Sequence, residues 1–105
     1  MSKIKVLQSN ADFRFPPEAL MKSAGPISDV PGLMWKVWIY DDEKGRGGGW
    51  YMFESEQALK AYMDSDIMKA FMNNPGVTNL EVRIFDVLEQ PSLVTRAPIG
   101  EMAAA

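Results

Sequence analysis

Hydrophobic residues along this chain switch between a two-residue and a helical period, and the switches divide it into six elements. Lys3, Ile4, Lys5 and Val6 alternate polar with apolar, which predicts a strand from about Lys3 to Gln8; the pattern lapses in the polar stretch Ser9 to Asp12. Pro16 and Pro17 then suit a first helical turn, where a missing N–H costs nothing, and Glu18 puts negative charge near the positive end of the helix dipole. That helix is predicted to be short, because Gly25-Pro26 breaks or kinks it. Asp29 to Gly32 turns the chain into the next strand.

The stretch from Pro31 to Leu59, PGLMWKVWIYDDEKGRGGGWYMFESEQAL, is the most informative. Met34 to Tyr40 is nearly all aromatic or apolar, too short for an isolated helix, and ends at a cluster of Asp, Lys and Gly, so it reads as a strand. Trp50 to Phe53 returns antiparallel. Between them, Asp41 to Gly49 carries three acids, two bases and four glycines, the composition of a solvated tip or a mobile rim over a site. It is not a phosphate cradle, since Gly47-Gly48-Gly49 leads into a strand and lacks the Lys-Ser/Thr of a P-loop. Ser55 is an N-cap with Glu56 in the first turn, and Ala58, Leu59, Tyr62 and Met63 form a helical stripe. Asp64-Ser65-Asp66 interrupts and recaps this helix; Ile67, Ala70 and Phe71 continue the stripe until Asn73-Asn74-Pro75-Gly76 ends it. Asn79 to Leu88 has a clear two-residue period. Beyond Glu89, Pro91, Pro98 and Gly100 rule out a long regular element, and Ala103 to Ala105 are expected to fray.

The order β-α-β-β-α-β is the ferredoxin-like plan of the α+β class, expected here as one domain with a core over about residues 3–88 and a tail over 89–105. Strict alternation places Leu33, Trp35, Val37 and Ile39 under the helices with Leu80, Val82 and Ile84. It leaves Met34, Lys36, Trp38 and Tyr40 on the other face with Arg83, Phe85 and Val87. That second face is too apolar to stay wet, so a second copy of the chain is expected to cover it, making a homodimeric α+β barrel.

Composition then limits the chemistry. The 105 residues carry a formal net charge of −3 and no basic cluster, so an electrostatic footprint for nucleic acid is missing. No segment approaches the ~20 apolar residues of a membrane span, and the N-terminus is not a signal peptide, so a soluble cytoplasmic protein is expected. The chain has neither cysteine nor histidine. Disulfides, thiolate or imidazole metal sites, His-ligated haem, a Cys nucleophile and a Ser-His-Asp triad are all excluded. Proton transfer falls to a carboxylate, Lys, Tyr, water or the substrate. No metal site, haem or flavin is expected: Asp64-x-Asp66 and Asp41-Asp42-Glu43 lack the ligand count of a metal site, and no dinucleotide-type glycine turn occurs.

The run from Pro31 to Met63, GVTNLEVRIFDV from Gly76 to Val87 and EQPSLVTRAPI from Glu89 to Ile99 resemble the small YdhR-type proteins assigned as monooxygenases. These form a branch of the dimeric α+β barrel superfamily that includes the antibiotic-biosynthesis monooxygenases. Trp35-Lys36-Val37-Trp38, the strand Gly48 to Phe53 and Phe85-Asp86-Val87 carry the likeness most distinctly; the first helix matches poorly. The resemblance implies a homodimer with a pocket between sheet and helices, and cofactor-independent oxygenation of a small electron-rich aromatic, quinol or polyketide-like substrate by dioxygen. The Trp, Asn, Arg and Tyr set of some oxygenase relatives is not recognisable by spacing, and the histidine of haem-degrading relatives is missing.

Such a reaction needs an aromatic slot, a donor or cation for the oxyanion, and exclusion of water. Trp35, Trp38, Tyr51 and Tyr62 are the candidates for the slot, with Arg83 the first-choice cation and Lys36 the second. Arg83 and Tyr62 are the candidate catalytic groups. Each has a structural alternative: Trp35 as core, Trp38 as interface filler, Tyr62 as part of an ordinary helical stripe, Arg83 and Lys36 as partners of carboxylates. An isomerase or cyclase on the same scaffold, or a binding module without turnover, is the competing reading.

Overall fold

A computed structural model describes residues 3–99. Strands β1 (Lys5–Asp12), β2 (Leu33–Asp41), β3 (Arg46–Phe53) and β4 (Thr78–Asp86) form one antiparallel sheet in the order β2-β3-β1-β4. Helix α1 (Pro17–Ser28) follows β1, α2 (Glu56–Met63) and α3 (Asp66–Met72) follow β3, and a short α4 (Glu89–Val94) follows β4. This is the ferredoxin-like α+β fold that the order of elements predicts. The split of the second helix is also as expected. The Ser55 side chain accepts from the Ala58 N–H at 3.1 Å, and Ser65 accepts from the Met68 N–H at 3.3 Å, so each short helix has its own cap. The expected fraying of Ala103 to Ala105 lies outside the described residues.

Strict alternation fails in β2. Leu33 pairs with Phe53, but the next aligned pair is Trp35 with Met52, so one extra residue, Met34, is accommodated as a bulge. A one-residue slip exchanges the two faces of everything beyond it. Leu33 therefore packs into the inner core with Leu7, Tyr51, Phe53, Leu59 and Tyr62, whereas Met34 and Trp35 both join an outer cluster with Ile4, Met52, Val87 and Ile99. Val37, aligned with Trp50, and Ile39, aligned with Gly48, fall on the outer register with Trp35, though Ile39 still borders the cavity, and Lys36, Trp38 and Tyr40 come to lie under the helices. The assignment of Trp35, Val37 and Ile39 to the inner face, and of Lys36, Trp38 and Tyr40 to the outer one, is thus reversed. In β4, Leu80 and Val82 pack on the inner core as expected, but Ile84 is left exposed on an edge strand.

Three element limits also move. β1 runs on to Asp12 because Ser9 and Ala11, the inward residues of its last half, are opposite Gly49 and Gly47. Their small size hides the alternation. Gly47, Gly48 and Gly49 belong to strand β3 and not to a loop, which shrinks the hairpin tip to Asp42 through Gly45. A Cβ on Gly48 would collide with the carbonyl of Ser9, so the close approach of β1 requires glycine there. Finally, α1 passes through Gly25-Pro26 and ends at Ser28. The residue before proline resists helical angles because its Cβ crowds the ring, and Gly25 has none. Pro26 lies in the last turn, where little helix remains to be interrupted.

The outer cluster is closed by the tail. Ala97 and Ile99 cover Met52, and the Trp35 indole N–H donates to the Pro98 carbonyl at 3.3 Å. Gly48→Ala is expected to lower stability by about 1–3 kcal/mol through the forced shift of β1. Urea denaturation with an unchanged m-value checks this.

Candidate active site between the sheet and helices α1 and α3

Gly49 and Gly47 of β3 leave room for the Lys36 and Tyr40 side chains to lie across the strand, and above this floor, with Ser9 of β1 in its lining, a cavity of about 610 Å³ opens. This volume suits a small organic ligand. One end is aromatic: Phe13 stacks on Phe15 with centroids 5.3 Å apart, lies 5.3 Å from Tyr40 and meets Phe71 edge-on at 6.4 Å. The Tyr40 hydroxyl donates to the Phe13 carbonyl at 2.8 Å, which fixes this wall to the segment after β1. Helices α1 and α3 supply the roof through Leu20, Pro26, Ile67 and Phe71, among others.

The other end carries the polar chemistry. Lys36 places its Nζ 3.3 Å from the centroid of the Trp38 ring and 4.5 Å from that of Tyr51, a cation held over two aromatic faces. Among the described residues no carboxylate comes within 4.0 Å of it. Burial pushes the Lys36 ammonium below the usual lysine range, against a smaller upward pull from Tyr51. Tyr62 donates its hydroxyl to that of Tyr51 at 3.2 Å, and the two rings are 5.2 Å apart. Burial, with Tyr51 adding to it, pushes the Tyr62 phenol far above the ordinary tyrosine range. Both rings are buried, so the hydroxyl pair is a polar spot in an otherwise apolar wall.

Of the residues singled out from the sequence, the cavity brings together Trp38, Tyr51 and Tyr62 with Lys36. Trp35 lies on the outer face beneath the tail. Arg83 is also on the outer face, aligned with Gln8 and exposed beside Glu81 at 3.5 Å. Strict alternation puts Lys36 and Arg83 on the same face, with Arg83 the first choice; the bulge at Met34 separates them and turns only Lys36 into the cavity. Phe13, Phe15, Tyr40 and Phe71 were not anticipated as a wall; the Phe13-x-Phe15 pair just past β1 was the available signal. The acidic hairpin tip contributes nothing to the cavity lining. No group of three or more acidic, His or Cys side chains suited to a metal occurs among the described residues.

Residues 8–98 match the model of the family described as "Putative mono-oxygenase ydhR". The chain belongs to this ydhR family. No curated protein matches the sequence. Among solved structures, a mutant of SnoaB, a cofactor-independent oxygenase from Streptomyces nogalater, superposes with a TM-score of 0.65 at 8% identity, covering 84% of this chain and 96% of that one. A Caulobacter crescentus protein described as a "putative antibiotic biosynthesis monooxygenase" gives 0.61 at 20% identity over 82% and 90%. The heme-degrader MhuD from Mycobacterium tuberculosis, solved with two hemes in its active site, gives 0.55 at 18% identity over 81% and 95%. At these identities the likeness shows that this ydhR-family chain shares their fold, and no more.

The displaced lysine ionisation has a thermodynamic signature. Unfolded, Lys36 titrates at its ordinary 10.5; folded, it titrates lower. Between the two values the unfolded chain holds the extra proton, so stability rises with pH across that window. Below the window both states are charged and the whole cost of burying the cation is present. Lys36→Met is therefore expected to raise the Tm of the ligand-free protein by a few degrees near neutral pH, with the gain shrinking toward pH 10.5. Tyr62 opposes stability only above its ordinary value of 10.0, in both proteins alike. Calorimetric scans of the two across pH check this.

Proposed function

We propose that the protein is a cofactor-independent monooxygenase that oxidises a small electron-rich aromatic, quinol or polyketide-like substrate with dioxygen in this cavity. The observation that carries the reading is Lys36, a cation with no carboxylate partner among the described residues, set inside an aromatic cavity. The neutral amine accepts the proton of an enolised or phenolic substrate, and the ammonium it becomes stands against the oxyanion it has made. Its lowered pKa enlarges the neutral fraction that can do so. Tyr62 donates to Tyr51, which leaves the Tyr51 O–H to point at the same oxygen. Trp38 and the Phe13 cluster hold the ring system by stacking against its faces. The carbanion-rich substrate then reduces dioxygen itself: a ring CH2 and O2 become C=O and H2O, with both hydrogens of the methylene leaving in the water.

Oxygen-electrode assays with anthrone-type and hydroquinone substrates, without NAD(P)H or flavin, are expected to show uptake that scales with enzyme. Lys36→Met lowers kcat by about 10²–10³-fold with a smaller change in KM, and Tyr62→Phe gives a lesser loss. The wild-type rate rises with pH along the titration of Lys36. A rearranged product without added oxygen indicates the isomerase or cyclase; binding without oxygen uptake indicates a binding module.

The same reading includes a second copy of the chain on the outer face. Val37, Trp50 and Phe85 there are 51%, 37% and 44% exposed, and Trp50 stacks on Phe85 with centroids 6.5 Å apart. Such an aromatic patch on one face of the sheet suits an isologous face-to-face contact. Sedimentation is expected to give a dimer at micromolar concentration and a folded monomer for Trp50→Glu. A wild-type monomer contradicts it.

A further inference from the structure

Charge in the cavity has the opposite sign to charge over the chain. The chain as a whole is at −3, yet the cavity lining includes two lysines, Lys22 and Lys36, and neither an aspartate nor a glutamate. Lys36 stands over Trp38 and Tyr51; Lys22 is exposed on α1, at the mouth. Glu18 precedes Lys22 by four residues, a spacing at which helical ion pairs commonly form, as Glu56 and Lys60 do on α2 at 3.7 Å. Lys22 has no carboxylate within 4.0 Å among the described residues. Two unpaired cations along one concave, low-dielectric surface focus a positive potential into it.

We infer that the substrate is an organic acid: a fused-ring phenol or enol bearing a carboxylate at the end remote from the reacting carbon. The carboxylate sits at Lys22, and the phenolic or enolic oxygen at Lys36. This rests on the reading of the site given above and narrows its substrate class. The volume of about 610 Å³ accommodates such a skeleton. A carboxylate fits the mouth better than a phosphate does. The one lysine at the mouth offers a single positive charge, which matches the single negative charge of a carboxylate, and no glycine-rich nest lines the cavity to hold a phosphate's several oxygens.

Calorimetric titration with 6-hydroxy-2-naphthoate, its methyl ester and 2-naphthol tests the inference without turnover, since none of the three is a hydroquinone. The acid is expected to bind about fivefold or more tightly than the ester, with the margin shrinking at high salt. Lys22→Gln removes the margin and leaves the ester's affinity unchanged, Lys22→Glu reverses it, and Lys36→Met weakens acid and ester alike. Equal binding of acid and ester, a preference that survives Lys22→Glu, a preference lost only in Lys36→Met, or no binding of any of the three overturns the assignment. Loss of the oxygen-uptake activity with the acid preference intact refutes the oxygenase reading alone.

Discussion

A sheet strand has two faces, and which residues reach which face is decided by register. In this protein the register of β2 is set by a single bulge at Met34, between Leu33 on one side and Trp35 on the other. Everything chemical depends on it. With the extra residue absorbed, Lys36, Trp38 and Tyr40 form the floor of a cavity, and Trp35 becomes a structural tryptophan under the tail. Without it, the same nine-residue strand would bury the apolar row Leu33, Trp35, Val37 and Ile39 and turn the lysine to the outer face. The two neighbouring apolar residues that share the outer side, Met34 and Trp35, are anchored by Met52, Val87 and Ile99, and this anchoring holds the bulge in place.

Once the lysine is inside, the protein tolerates two things that a stability-optimised domain avoids. One is a cation among aromatic rings, whose contacts with Trp38 and Tyr51 offset part, though not all, of its lost hydration, as its lowered pKa records. The other is space where a core would be. β3 presents Gly47 and Gly49, crossed by the Tyr40 and Lys36 side chains, and β1 presents Ser9 and Ala11, so no bulky side chain rises from these positions to fill the space above. Stability is recovered at the other end of the inner face, where Leu7, Phe53, Leu59 and Met68 are almost wholly buried. The molecule thus divides its inner face into a packed half and an open half.

The sequence shows the packed half well and the open half poorly, for one physical reason. Elements with large alternating side chains announce their period, so the order of elements, the split helix at Asp64-Ser65 and the inward Leu80 and Val82 of β4 could all be read. Strand positions that make room for a neighbour's side chain or backbone use small residues, and small residues look like loops. Hence β1 reads as ending at Gln8 and Gly47 to Gly49 read as a hairpin tip, although both are strand. Gly25-Pro26 likewise reads as a helix break, when glycine is what permits the proline. For the cavity, Trp38, Tyr51 and Tyr62 are legible as aromatic candidates, although strict alternation places Trp38 on the opposite face of the sheet. The relative ranking of Lys36 and Arg83 was not visible, since a bulge leaves no mark in a run as uniformly apolar as Leu33-Met34-Trp35.

Helix α1 has an unusual position in this arrangement. Within it only Ile27, near its C-terminal end, is buried, while Ala19, Leu20 and Ser23 overlook the cavity and not a packed core. The inner surface of the helix thus lacks a solid neighbour along most of its length. A guest molecule in the cavity would act as that missing layer of core, taking the place of side chains the sheet does not supply. Affinity for the guest and the order of the first two turns of α1 are then one free energy seen from two sides, so the gate to the site is tightened by the same contacts that hold its contents.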